Sequence, residues 1–264
     1  MLKENQPYQN SLKQYRISWL VSMKGVILAG GLGTRLYPCT KVINKHLLPV
    51  YNKPMIFYPL KTLKSIGVNN ILIVTGGESI EDFMKLLGSG SEFGVKFTYK
   101  IQDRPGGIAE ALLLGEDFFG NEKVICILGD NIFLKDIKIP KDILNKNNNE
   151  AAIFIKKHKN PERFGVALCD ENGRVIHIVE KPKKPKSNLI VTGLYIYPPD
   201  VFEFIKTLKP SARGELEITD VNNFYIKEGR MRAFIVGGDW SDAGTIETLH
   251  EASILVRKRL NASK

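Results

Sequence analysis

Hydrophobic positions along the chain fall into short runs that alternate between strand-like and helix-like spacing. Lys24 to Ala29 is a compact apolar run closed by Gly30-Gly31, the pattern of a strand buried on both faces. Asn70 to Val74, Val95 to Lys100 and Lys123 to Leu128 read as three more strands. Between them, Pro54 to Ile66 carries Ile56, Leu60 and Leu63 at helical spacing, with Pro54 expected at the first helical position. Ser79-Ile80-Glu81-Asp82 offers an N-cap with a carboxylate three residues on, opening a helix through Leu87. Gly107 to Phe118 reads as a further helix. Four strand-then-helix units in about 110 residues predict an α/β fold with a mainly parallel sheet.

The second half is more mixed. Ala151 to Lys156, Val166 to Cys169 and Arg174 to Val179 are short strands, the last two joined by a turn at Glu171-Asn172-Gly173. Helices are expected over Pro199 to Leu208, Glu217 to Glu228 and Thr245 to Arg257. No linker-like shift in composition and no internal repeat divides the chain. It therefore reads as one domain over residues 23–264, whose second half completes the sheet and one wall of a site. Residues 1–22 differ: they are rich in Gln, Asn, Lys and Tyr and have no sustained period. Their apolar cluster, Trp19-Leu20-Val21, is too short for the core of a secretory signal. A loosely ordered extension is expected there.

Composition narrows the function classes. At 264 residues, with 43% hydrophobic and 25% charged positions, the mixture is that of an ordinary globular protein. No apolar run approaches the roughly 18 residues of a membrane span. Cys39, Cys126 and Cys169 are far apart with no C-x-x-C pair, which excludes a zinc ribbon or disulfide scaffold and fits a reducing cytoplasm. Cys126 lies inside an apolar strand and reads as core packing rather than a nucleophile. His46, His158, His177 and His250 show no metal-ligand spacing and read as structural or surface residues. The net charge of +10 favours anionic partners. A nucleic-acid binder would also suit that charge and the Arg257-Lys258-Arg259 tail, but no binding motif with interleaved aromatics accompanies it.

The chemistry begins at Leu28-Ala29-Gly30-Gly31-Leu32-Gly33-Thr34-Arg35, a glycine loop directly after a strand. Glycines there let backbone N–H groups approach phosphate oxygens without a Cβ in the way. The spacing fails the dinucleotide fingerprint, because the third glycine would fall on Leu36. It fails the P-loop pattern too, since no Gly-Lys-Ser/Thr occurs in the chain. Arg35 and Lys45, two cations just beyond the turn, are placed to clamp a triphosphate.

Gly30 to Pro38 followed by Lys45-His46-Leu47-Leu48-Pro49 resembles the signature of the sugar-1-phosphate nucleotidyltransferases. The likeness continues through Leu128-Gly129-Asp130-Asn131-Ile132-Phe133, Pro161 to Val166, Glu180-Lys181-Pro182 and Val191 to Tyr195. Lys209 to Asp220 is more similar to the glucose-1-phosphate thymidylyltransferase branch than to uridylyl, adenylyl or guanylyl relatives. The resemblance implies a Rossmann-like three-layer fold of the nucleotide-diphospho-sugar transferase type. It implies transfer of a thymidylyl group from dTTP to glucose 1-phosphate, with Mg2+ as cofactor and pyrophosphate released. It also implies a cytoplasmic homo-oligomer with no nucleic-acid or membrane partner. A UTP-using uridylyltransferase is the alternative within the class, since a thymine methyl contributes only about 1 kcal/mol in an apolar pocket. A non-catalytic sugar-nucleotide-binding module is the alternative outside it; Arg35, Lys45, Asp130, Lys181 and Asp242 speak against that reading.

The resemblance assigns residues as well. Leu28, Gly30, Gly31, Gly33, Thr34 and Arg35 form the nucleotide loop, with Gln102 and Gly107 at the base and Asp130 near the phosphates. Arg35, Lys45 and Lys181 carry the charge of the reacting groups. Asn131, Gly165, Glu180, Lys181, Val191 and Tyr195 make the sugar pocket, and Asp130 with Asp242 hold the metal. Departures from the family pattern fall at Ser241 and Ala243, beside Asp242, and at Gly106 and Glu110, where relatives often carry Asp and Gln. Longer relatives continue past the Asp242 region with helices that build a second, regulatory nucleotide-sugar site. Here the chain runs from Asp242 only to Lys264 and supplies one amphipathic helix, so inhibition by product is expected at the active site alone.

Overall fold

Along β1 (Met23–Ala29) the side chains alternate between two cores, Val26 and Leu28 on one face and Ile27 and Ala29 on the other. That two-sided burial makes β1 a central strand, as its unbroken apolar run predicts. The computed structural model describes residues 23–262; the extension expected over residues 1–22 lies outside them.

After β1 come the ribbon β2 (Pro49–Val50) and β3 (Lys53–Pro54), α1 (Phe57–Ile66), β4 (Val68–Thr75), α2 (Ile80–Leu87) and β5 (Lys96–Ile101). α3 (Ile108–Leu113), α4 (Glu116–Phe119), β6 (Val124–Leu128) and β7 (Ile132–Phe133) complete the first half. The second half holds α5 (Lys141–Leu144), β8 (Ala151–Lys157), β9 (Gly165–Cys169), β10 (Val175–Glu180) and β11 (Leu189–Tyr197). It ends with α6 (Val201–Thr207), α7 (Ile218–Lys227), β12 (Met231–Ile235), β13 (Trp240–Ser241) and α8 (Ile246–Asn261).

Nine strands form one mixed sheet with the order β10-β9-β11-β6-β1-β4-β5, and β8 and β12 continue from the other edge of β11. Seven of them point the same way, while β10 and β11 run against the rest. The layers are helix, sheet, helix. α1 and α2 cover one face through Leu60, Leu63, Phe83 and Leu87. α3, α6 and α7 cover the other through Leu112, Phe202, Ile205, Val221 and Tyr225. A smaller third core under α8 joins Ala252 and Val256 to Val50, Tyr58 and Ile132. The expected α/β architecture is therefore present.

Local details depart from the sequence pattern for physical reasons. α1 begins at Phe57, because Pro54 is drawn into the β2–β3 ribbon opposite Pro49; Pro59 falls in the first turn instead. Ser79 makes no side-chain cap, since a tight turn over Gly77–Ser79 runs straight into α2. The helix expected over residues 107–118 splits into α3 and α4 at Leu114-Gly115, where a glycine weakens the helix. Two strands of the nine-stranded sheet, β11 and β12, have no counterpart in the pattern. In β11 the Thr192-Gly193 pair interrupts the apolar run, yet all residues from Ile190 to Tyr197 are buried. β12 is a half-buried edge paired only with β8.

Candidate active site

Strand order β5-β4-β1-β6 puts the reversal of winding between β1 and β6. Open α/β sheets bind ligands beyond the carboxyl ends of their strands at such a seam. The glycine loop after β1 and Asp130, just beyond β6, both lie there. Gly31 and Gly33 take positive φ angles of 89° and 61°, which a side chain would resist. The loop is pinned from outside: Thr40 Oγ1 donates to the Gly33 carbonyl at 2.9 Å, and Asn44 Nδ2 donates to the Ala29 carbonyl at 3.2 Å. Asn44 also caps the turn that begins with Lys45, accepting from the His46 N–H at 3.0 Å.

Two cavities meet at the seam. The first, of about 340 Å3, is lined by Leu28, Gly30, Gly31, Arg35, Lys45, Gln102, Gly107, Asp130 and Lys181 among others. The second, of about 150 Å3, is lined by Asp130, Asn131, Gly165, Glu180, Lys181, Val191, Tyr195 and Asp242. Arg35, Asp130 and Lys181 border both, so the fold gathers the expected nucleotide and sugar residues into adjoining spaces. Gly33 and Thr34 shape the loop without lining either cavity. A larger hollow of about 970 Å3 lies between β10 and β12 and contains none of these residues.

Charge is paired at the join. Lys45 Nζ donates to Asp130 Oδ2 at 2.7 Å, with the two side chains only 16% and 13% exposed. Burial works against ionisation of Asp130, but the Lys45 ammonium prevails and holds its carboxyl below the usual range. Asp242 goes the other way. Burial and the neighbouring Asp130 charge push its carboxyl up, although Arg163 and Arg35 partly oppose them. Arg163 Nη2 reaches Asp242 Oδ2 at 3.2 Å. His46, in the wall of the first cavity, is driven down to about 3 by burial and by the Lys45 charge, so its ring is neutral.

Asn131 is the hub behind the carboxylates. Its Oδ1 accepts from the Gly193 N–H and from Trp240 Nε1, each at 2.8 Å, while its Nδ2 donates to Asp130 Oδ1 at 3.1 Å. A break in the β11–β8 register between Val191 and Tyr195 is where Gly193 turns to Asn131. Glu180 accepts from Thr219 Oγ1 at 2.6 Å, and Lys181 Nζ lies 3.6 Å from Glu180 Oε1. Lys181 and Ala243 are two of the three non-glycine residues with positive φ among those described, at 41° and 31°. Such backbone costs about 1–3 kcal/mol per residue and collects where a site fixes a side chain. One adjoins Glu180; the other follows Asp242.

Gly107 has φ of 102°, and a Cβ there would stand 2.5 Å from the Leu216 carbonyl oxygen. The Leu216 N–H donates to the Gly106 carbonyl at 2.8 Å, so the Lys209-to-Asp220 motif clasps the far wall of the first cavity. Several lining residues carried no separate signal in the sequence. Arg163 and Arg213 sat inside quoted motifs, Arg213 gripping Glu217 through both carboxylate oxygens. Trp240 and Thr219 reach the second cavity from elements remote in sequence.

Among the described residues, no group of three or more His, Cys, Asp or Glu gathers to hold a metal. Asp130 and Asp242 nevertheless border one cavity, and the charge of Asp130 disfavours ionisation of Asp242. Two mutually repelling carboxylates fit a hard divalent cation that takes one or two protein oxygens and completes its shell with phosphate.

Comparison with known proteins identifies the family. The nucleotidyl transferase family model matches residues 24–259. Glucose-1-phosphate thymidylyltransferase of Neisseria meningitidis is 49% identical over 238 residues, covering 89% of this chain and 83% of that protein. The Mycobacterium tuberculosis thymidylyltransferase is 44% identical over 237 residues, covering 89% and 82%. A Bacillus anthracis crystal structure with sucrose, described as a glucose-1-phosphate thymidylyltransferase, superposes with a TM-score of 0.85 at 52% identity; it covers 89% of this chain and 96% of its own. UDP-glucose pyrophosphorylase with UDP-glucose superposes at 0.78 and 31% identity, covering 90% and 100%. The chain belongs to the nucleotidyl transferase family, on its glucose-1-phosphate thymidylyltransferase branch.

Proposed function

We propose that the seam between β1 and β6 transfers a thymidylyl group from dTTP to glucose 1-phosphate, giving dTDP-glucose and pyrophosphate. The observation that carries this reading is the pair of cavities joined at Arg35, Asp130 and Lys181, one beneath the glycine loop and one walled by β9, β10 and β11. A phosphate oxygen of the sugar phosphate attacks the α-phosphorus in line, and pyrophosphate leaves. The protein has little covalent chemistry to do beyond bringing two polyanions together and spreading their charge.

In this reading the glycine loop, with Leu28, Gly30, Gly31, Gly33 and Thr34, cradles the triphosphate while Arg35 and Lys45 offset charge on the departing pyrophosphate. Gln102 and Gly107 take the base edge. Lys181 holds the sugar phosphate, Glu180 accepts sugar hydroxyls, and Gly165, Val191, Tyr195 and Asn131 form the pocket around them. Asp130 and Asp242 would hold Mg2+, whose charge would neutralise the triphosphate and orient its oxygens. Identity of 42–49% to thymidylyltransferases, against 31% to a UDP-glucose pyrophosphorylase, favours dTTP over UTP. The three free cysteines support a reducing cytoplasm, and a homo-oligomer is part of the same proposal. No helix among the described residues is long and apolar enough to cross a membrane.

Pyrophosphate release measured over a matrix of triphosphates and sugar 1-phosphates tests the reading. Magnesium-dependent turnover should be greatest with dTTP and glucose 1-phosphate. Asp130→Asn should nearly abolish it while the fold survives, because a neutral amide is a poor magnesium ligand. No release with any pyrimidine triphosphate would overturn the reading.

A further inference from the structure

The two carboxylates at the join of the cavities each hold a cation that belongs to the chain itself. Asp130 Oδ2 accepts from Lys45 Nζ at 2.7 Å, and its Oδ1 accepts from Asn131 Nδ2 at 3.1 Å. Asp242 Oδ2 accepts from Arg163 Nη2 at 3.2 Å. Lys45 has a part in the proposed chemistry, whereas Arg163 has none. Arg163 ends the short turn Pro161–Arg163 before β9, far from Asp242 in sequence. Its guanidinium carbon lies 5.4 Å from the centre of the Phe164 ring. Its side chain is 30% exposed, while that of Asp242 is 15% exposed. Glu247, in the first turn of α8, also feels this charge. Hydrogen bonds from its own N–H and from Thr245 hold the Glu247 carboxyl down, and the Arg163 charge adds to them. Arg163 therefore stands between two carboxylates, one lining the second cavity and one on the exposed surface.

A hard divalent cation seeks the same carboxylate oxygens as a guanidinium. On Asp242 Oδ2 it would meet a positive charge 3.2 Å from that atom, and like charges so close repel strongly in a partly buried site. Arg35 adds to the crowding: a Cβ on Gly244 would lie 3.1 Å from Arg35 Nη2 and 3.4 Å from Asp242 Oδ2. We propose that Arg163 is an internal stand-in for the divalent cation: it holds the Asp242 oxygen that the metal takes, and it swings toward Glu247 when Asp242 coordinates. The inference rests on the proposed function, in which Asp130 and Asp242 hold Mg2+. Arg163 keeps the two repelling carboxylates together in the protein alone, and by the same charge it lowers their affinity for metal.

The test measures binding of Mn2+, a paramagnetic substitute for Mg2+, to the protein alone by electron paramagnetic resonance. Arg163→Met keeps an apolar stem against Phe164 and removes the charge. It should bind Mn2+ at least about five-fold more tightly than wild type. Mg2+ should also raise its melting temperature by more than it raises that of wild type. Arg163→Lys keeps the charge and should bind Mn2+ within about three-fold of wild type. If Arg163 instead aligned Asp242 as a ligand, Arg163→Met would bind metal more weakly. Weaker binding, tightening of less than about five-fold in folded Arg163→Met, or equal tightening in Arg163→Lys overturns the proposal. Failure of the underlying reading looks different, because Asp242→Asn would then bind Mn2+ as wild type does.

Discussion

Single side chains set the geometry of the candidate site through contacts with one another, and Asn131 shows how. Its Oδ1 satisfies two buried donors, the Trp240 indole N–H and the Gly193 backbone N–H, while its NH2 steadies Asp130. Leaving a buried donor without an acceptor costs about 1–3 kcal/mol. Asn131→Ala strands two of them, so urea unfolding should show a loss of about 2–5 kcal/mol. Turnover should fall as well, because Asp130 loses its lateral support. A stability within about 0.5 kcal/mol of wild type would mean that water replaces the amide and that the hub is dispensable. The gathering of Arg35, Lys45, Asp130 and Lys181 was legible through the resemblance, because each lies in one of the compact motifs that carry it. What Asn131 does was not. Its partners, Gly193 and Trp240, come from β11 and β13, and no local pattern links those strands to Asp130.

Elements were legible where one period ran uninterrupted. β1, β4 and β6 are such runs, and their burial on both faces follows from being central in a parallel sheet. β11 escaped because a strand that bends to hand a backbone N–H to Asn131 needs the Thr192-Gly193 step, which breaks the apolar pattern. Helix starts depended on partners that the sequence does not display. Pro54 went to a ribbon with Pro49, whereas the start of α8 at Thr245 is a reciprocal cap. Thr245 Oγ1 accepts from the Thr248 N–H at 3.2 Å, and Thr248 Oγ1 accepts from the Thr245 N–H at 3.0 Å. Losing such a cap costs about 1 kcal/mol. Thr245→Ala should therefore lower the melting temperature by about 2–4 °C, measured by calorimetry. Activity at 25 °C should barely change, since α8 supplies no lining residue to either cavity. A large loss of activity with an unaltered melting temperature would instead tie the cap to Asp242, which precedes it by three residues.

At the scale of the whole molecule, the site imposes a pH dependence on stability. His46 is buried with its ring against Gly129, where a Cβ would come within 2.6 Å of it, and its Nδ1 is 2.8 Å from Asn44 Oδ1. Burial and the Lys45 charge, partly offset by Asp130 and the Ala29 carbonyl, bring it from 6.5 to about 3. Above pH 6.5 the ring is neutral in both folded and unfolded chains, and its contribution is fully present. As pH falls from 6.5 toward 3, the unfolded chain takes up a proton that the folded one refuses. Stability is then lost at up to about 1.4 kcal/mol per pH unit. Between pH 6.5 and 5 that amounts to about 2 kcal/mol. The net charge of +10 also becomes more positive with acid and adds self-repulsion, but a neutral substitution leaves that background in place. His46→Gln keeps a polar side chain that does not titrate. Denaturant unfolding at several pH values should give the variant a flatter acid limb, with the two stability curves converging by about 2 kcal/mol from pH 6.5 to 5. Parallel curves would show that His46 is protonated in the folded protein, and that the wall of the first cavity carries a positive charge there.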